Sequence, residues 1–131
     1  MEPLPGISGQ MALTLTAVGL HAILSGYRFR FSTEEQLHAG MEEAMAREGL
    51  HWEHEKHLSF GRIDFLVESG IGIEVKVAGS RAALLRQISR YLLQLDICEI
   101  LIVTTKSCHL EIPETMHGKT VRVLYLSPGI L

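Results

Sequence analysis

Leu37, Met41, Ala44 and Met45 recur at helical spacing between polar residues, which predicts a helix from Thr33 to about Arg47. Ser32 or Thr33 supplies its N-cap, Glu34 and Glu35 occupy the first turn, and Gly49 ends it. The period then drops to two. A strand from about Trp52 to Leu58 precedes two β-branched-rich runs, Arg62–Val67 and Ile71–Val77, separated by Glu68-Ser69-Gly70. That pair reads as a hairpin. Helical spacing returns at Leu84, Leu85, Ile88, Tyr91, Leu92 and Leu95, so a helix is expected from Arg81 to about Leu95, capped by Ser80. Glu99–Thr105 is a short, continuous apolar run that suits a central strand buried on both faces. The helix before it supplies the crossover that a parallel pair requires. Pro113 opens a short helix to Met116, Gly118 ends it, and Thr120–Leu126 forms a last strand.

The first 31 residues carry a weaker pattern. Pro3, Pro5, Gly6 and Gly9 mark a loop, and Ala12–Val18 alternates weakly with threonines. Tyr27–Phe31 alternates aromatic and basic residues, as an edge strand or a packing arm does; Arg28 and Arg30 there also offer contacts to nucleic acid. The apolar stretch Met11–Leu24 is too short and too rich in Thr, Gly and His to span a bilayer. It has no evident core of its own, so it is expected to form an interface between two copies, as a homodimer.

Composition narrows the class. A chain of 131 residues, 47% hydrophobic, with mean hydropathy +0.19, is expected to fold as a single domain with a substantial core. The core spans about 32–105, with 1–31 an N-terminal extension and 106–131 a C-terminal strand region. The net charge of −3 excludes a global basic footprint, so contact with nucleic acid depends on a local patch or a metal. Arg81, Arg86 and Arg90 form the nearest such patch. Cys98 and Cys108 match neither a zinc spacing nor a disulfide framework, and Cys98, in an apolar run, is expected to be a buried thiol. His51, His54 and His57 step by three along a strand, so they alternate in face, and no histidine metal site is expected. Met1–Gln10 lacks the basic region of a secretory signal, and a cytoplasmic setting without a membrane is the expectation.

The chemistry concentrates on the hairpin. Alternation puts Glu74 and Lys76 on one face of their strand. A three-residue loop pairs Val67 with Ile71 and sets Asp64 opposite Glu74, at roughly 5 Å between Cβ atoms. Two carboxylates forced together repel unless a cation lies between them. An oxygen-rich site favours Mg²⁺ or Mn²⁺. With an ammonium beside it, such a site suits phosphodiester hydrolysis.

The order helix, strand, hairpin, helix, strand, with Asp64, nine residues, then Glu74-Val75-Lys76, resembles the PD-(D/E)XK nuclease superfamily over roughly Ser32–Thr105. The resemblance implies an α/β restriction-endonuclease-like α-β-β-β-α-β core, a mixed sheet flanked by helices. Asp64 and Glu74 match the family's metal-binding carboxylates and Lys76 its catalytic lysine. Glu34 matches the extra first-helix glutamate of archaeal Holliday-junction resolvases and RecB-type nucleases, and Gln87-x-x-x-Tyr91 matches a motif that borders the site in RecB-like members. Ile63 stands where many members carry a proline. Resemblance and chemistry together imply Mg²⁺ (or Mn²⁺) held by Asp64, Glu74, the Val75 carbonyl and Glu34. Lys76 would orient or deprotonate water, or stabilise phosphate charge, while Gln87, Tyr91, Arg81 and Arg86 would contact DNA. A metal-dependent deoxyribonuclease is expected; the alternative is an inactive nucleic-acid-binding or assembly subunit that keeps the fold.

Overall fold

The computed structural model describes residues 14–68 and 70–127. The loop expected at Pro3–Gly9, and Ser69 of the hairpin loop, lie outside them. Helix α1 (Ala17–Ser25) and helix α2 (Glu34–Arg47) precede three strands: β1 (Trp52–His57), β2 (Arg62–Val67) and β3 (Ile71–Lys76). Helix α3 (Arg81–Leu92) leads to β4 (Glu99–Thr104), a 3-10 turn at Ser107–Leu110, and strands β5 (Thr115–Met116) and β6 (Lys119–Tyr125). The result is a mixed α/β fold with a six-stranded sheet in the order β1-β2-β3-β4-β6-β5. β2 pairs antiparallel with both β1 and β3, while β4 runs parallel to both β3 and β6.

Helices cover both faces. On one side α1 and α2 bury Leu20, Leu24, Leu37, Met41 and Met45 against Phe65, Val67, Ile73, Leu101 and Val103. On the other α3 buries Leu84, Ile88 and Leu92 against Ile63, Ile100, Ile102 and Val121. Alternate residues of β4 thus enter opposite cores, as its unbroken apolar run implies. Each fully buried side chain of this size contributes about 1.5–3 kcal/mol.

The caps explain where α2 starts and stops. The Thr33 side chain accepts the Gln36 N–H at 3.1 Å. At the far end Leu50 N–H donates to the Met45 carbonyl and Gly49 N–H to that of Ala46, with Gly49 at φ 72°. That paired closure needs a left-handed residue, which glycine adopts without a Cβ penalty.

Four expectations require correction. The segment read as weakly alternating from Ala12 to Val18 enters α1, with Thr16 as N-cap and the Ala17 N–H donating to Glu99 Oε1 at 2.6 Å. Ala17, Leu20 and Leu24 of this apolar stretch pack on the chain's own sheet. Pro113–Met116 is no helix: Met116 pairs with Lys119 across a two-residue turn, His117 and Gly118, both at positive φ (53° and 74°). Cys98 is exposed rather than buried, as is Cys108. Tyr27–Phe31 forms no strand; Tyr27, Phe29 and Phe31 pack as an arm against the α1–α2 core. Among the described residues, no helix is long and apolar enough to cross a membrane.

Candidate active site

Strand alternation fails at Asp64, and the failure builds the site. Ile63 lies in the α3-side core and Phe65 in the opposite one, although residues two apart on a strand ordinarily share a face. The pairs His54↔Phe65 and Lys56↔Ile63 keep one register across the gap, so no residue is inserted. Glu55, which that register sets opposite Asp64, takes a left-handed backbone with φ 55°. Ile63 can turn toward α3 because Gly72 leaves the space a side chain would fill. On the other side of β2 the ladder runs from Val67↔Ile71 to Phe65↔Ile73, the register expected for the longer loop, and stops there. Beyond it the Asp64 side chain takes over: Val75 N–H donates to Asp64 Oδ2 at 2.7 Å. The Asp64 N–H in turn points at Glu74 Oε1, 3.4 Å away.

Glu74 is held from the α3 side. Its Oε2 accepts Gln87 Nε2 at 2.9 Å and lies 3.3 Å from Lys76 Nζ. Gln87 Nε2 also donates to the Tyr91 hydroxyl at 3.0 Å, and Tyr91 donates to the Arg62 carbonyl at 2.8 Å. The Gln-x-x-x-Tyr spacing therefore fixes the Glu74 carboxylate, with every proton in the chain directed.

The α2 side adds a residue that the sequence reading passed over. His38 is buried, and its Nε2 stands 3.5 Å from Glu34 Oε2 and 3.7 Å from Asp64 Oδ2. Among the described residues it is the buried side-chain polar atom without a hydrogen-bond partner. Its Nδ1 pairs with His54 Nε2 at 2.9 Å. Ligand atoms of Glu34, His38 and Asp64 all lie within 4.8 Å of one another, and those of His38, His54 and Glu55 do so too. The signal was present in the sequence: Glu34 and His38 are four apart on a helix and share a face. The expectation of no histidine metal site rests on the alternation of His51, His54 and His57 and on zinc spacing, neither of which bears on a histidine paired with a helix glutamate.

Electrostatics sharpen the picture. Burial above all, and then the Asp64 charge, push the Glu74 carboxyl up to about 7, with Lys76 opposing. The contact with the Asp64 carboxylate raises His38 above its ordinary value against the opposing effect of burial, and the charges of Asp64, Glu34 and Glu55 add to the rise. Burial, then the Glu74 charge, raise the Tyr91 phenol above its ordinary range, so it stays a donor. Acidic groups thus outnumber the Lys76 ammonium at the site.

The fit of a cation can be judged from the donors. Edges of a coordination shell with ~2.1 Å bonds are roughly 3 Å long. The His38 separations of 3.5 and 3.7 Å need only a small inward adjustment to reach that. An orphaned imidazole nitrogen between two carboxylates is a fitting donor set. Glu74 stands just outside this trio, joined to it through the Asp64 N–H.

The other expected residues divide. Glu34, half exposed, reaches the cluster, while Glu35 belongs to neither ligand grouping. Arg86 and Arg90 are exposed on α3. Arg81 is occupied: its Nε donates to the Glu111 carbonyl. The cleft lined by Tyr27, Arg28, Phe29, Arg30 and Arg47 shares no residue with the acidic site. No family model, no curated protein and no solved structure matches this chain.

Proposed function

We propose that this protein is a metal-dependent nuclease that hydrolyses DNA phosphodiester bonds on a restriction-endonuclease-like core. The observation that carries the reading is the unpartnered His38 Nε2 between Glu34 and Asp64, beside a buried Glu74 and Lys76. The order α2-β1-β2-β3-α3-β4, with an antiparallel β2–β3 pair and parallel β3–β4, supports the architecture. Asp64 and Glu74 are two buried carboxylates crowded beside one lysine, a crowding that a simple binding module gains nothing from.

Glu34, His38, Asp64 and Glu74, with the Val75 carbonyl, would hold Mg²⁺ or Mn²⁺, and the imidazole moves the preference toward Mn²⁺. The cation supplies an activated water and offsets phosphate charge. Lys76, 3.3 Å from Glu74, would place an ammonium where the pentavalent phosphorus gains negative charge or, as the neutral amine, would take the proton of the attacking water. Gln87 and Tyr91 act one step back: they orient Glu74 rather than the DNA. Arg86 and Arg90 face outward to the phosphates, and Arg81 serves the fold instead. A cytoplasmic setting accords with two exposed cysteines that are free.

Incubation with Mn²⁺ or Mg²⁺ and linear, circular, branched and single-stranded DNA tests the reading. Cleavage of at least one form, abolished by chelation, is expected. No cleavage of any form with either metal would return the protein to the alternative, an assembly or binding subunit on the same fold.

A further inference from the structure

Phe60 lies in the β1–β2 turn with 67% of its surface in water, at a hydrophobic cost that a polar turn residue would avoid. Gln94 holds it there. Its Oε1 accepts the Phe60 N–H at 3.3 Å and its Nε2 donates to the Phe60 carbonyl at 3.0 Å. Gln94 is itself buried, and its Nε2 also reaches the Arg90 carbonyl at 3.2 Å. A buried amide that satisfies both backbone groups of one exposed aromatic residue fixes the base of that ring without covering its face.

This turn is continuous with the acidic site. Gly61, at φ 87°, sits against the Tyr91 ring, and Tyr91 links through Gln87 to Glu74. Gln94 lies just past the end of α3 at Leu92, on the same chain segment as Gln87 and Tyr91. Leu93 and Leu95, on either side of Gln94, are exposed at 66% and 94%, so the apolar surface extends beyond the ring. Arg90, whose carbonyl Gln94 reaches, is exposed and brings positive charge to this end of α3; Arg62, also exposed, lies 3.6 Å from Glu55.

An aromatic face with guanidinium groups beside it takes the π-face of an unpaired base and its phosphates. Bases inside a duplex have both faces covered by their neighbours. Resting on the nuclease reading of the adjacent site, we infer that Phe60 is a base-stacking contact that selects single-stranded DNA or a frayed end. An apolar protein surface fits less well, because it would have to cover Arg90 and the Arg62–Glu55 pair.

Fluorescence anisotropy tests this with a labelled single-stranded oligonucleotide and its duplex, with no metal added so that cleavage plays no part. Wild type is expected to bind the single strand more tightly than the duplex. Phe60→Ala should weaken single-strand binding roughly tenfold and leave duplex binding unchanged. Phe60→Trp in a Trp52→Phe background should restore binding, with tryptophan emission quenched by the oligonucleotide. The inference is overturned if wild type fails to bind the single strand, if Phe60→Ala binds it as well as wild type or loses both forms equally, or if the tryptophan signal ignores the oligonucleotide. That last result would assign the patch to a protein partner. A protein that binds through Phe60 but never cleaves would defeat the nuclease reading alone. One that cleaves single strands equally with and without Phe60 would defeat this inference alone.

Discussion

Asp64 Oδ2 accepts the Val75 N–H at 2.7 Å, so a carboxylate stands in for a rung of the β2–β3 ladder at the point where the ladder ends. Charge and backbone support are therefore joined in one residue. Asp64→Ala removes repulsion toward Glu74 but leaves a buried N–H without its acceptor, which costs about 1–3 kcal/mol. Asp64→Asn keeps an acceptor and drops the charge. Urea unfolding at neutral pH is expected to rank Asp64→Asn at or above wild type and Asp64→Ala below both. Equal stability of Asp64→Ala and wild type would mean that the Val75 amide finds another partner.

Glu74 makes stability depend on pH in a definite direction. Its folded carboxyl titrates at about 7 against an ordinary 4.5, because burial and then Asp64 disfavour the charge. Between those values the folded state keeps a proton that the unfolded state has released, so stability falls as pH rises from about 4.5 through 7. The spread corresponds to roughly 3 kcal/mol. His38, also raised, contributes stability that is present at low pH and lost as pH rises through its folded value. Chemical unfolding of metal-free protein at pH 5 and pH 8 should therefore favour the lower pH, and Glu74→Gln should remove most of the difference. A slope of the opposite sign would contradict the burial of Glu74.

Much of this architecture is legible in the sequence because local and global signals agree. Thr33 and Gly49 delimit α2 through a cap and a left-handed closure, and the apolar run of β4 announces a strand with a core on each side. The hairpin register follows from the pleat and loop length, and it brings Asp64 to Glu74. Three things were not legible. The break in alternation at Asp64 depends on Glu55 at φ 55° and on the space above Gly72, neither of which is a pattern in one strand. Helix α1 hides behind Thr14, Thr16 and Gly19, whose types disfavour helix until the sheet receives Ala17, Leu20 and Leu24. The end of α3 at Leu92 instead of Leu95 comes from Gln94, whose N–H closes a shorter turn on the Tyr91 carbonyl while its side chain holds Phe60.

Glu34 and His38, rather than Glu35, are expected to govern metal affinity. A ligand in hundredfold excess over its Kd stabilises the native state by about 2.7 kcal/mol, enough to raise Tm by several degrees. Mn²⁺ should produce such a rise in wild type and Glu35→Gln, and a much smaller one in Glu34→Gln and His38→Ala. The sole tryptophan offers a second readout. Trp52 Nε1 donates to Glu42 Oε2 at 3.0 Å, which lies 4.0 Å from His54 Nδ1, and His54 bonds His38. Paramagnetic Mn²⁺ should quench Trp52 emission in the same two proteins. A loss in Glu35→Gln alone would place the cation elsewhere.

On the proposed reading, Lys76 separates metal binding from catalysis. Its ammonium touches Glu74 but belongs to no ligand grouping, so Lys76→Ala should still bind Mn²⁺. The most direct measurement is the initial rate of DNA cleavage by equally purified wild type and Lys76→Ala at saturating Mn²⁺, with Mn²⁺ binding followed in both. The expected result is metal-dependent cleavage by wild type and a loss of at least about a hundredfold in Lys76→Ala, with Mn²⁺ affinity retained. Equal cleavage by the two proteins, or none by wild type while Mn²⁺ is bound, would contradict the assignment of nuclease chemistry to this site.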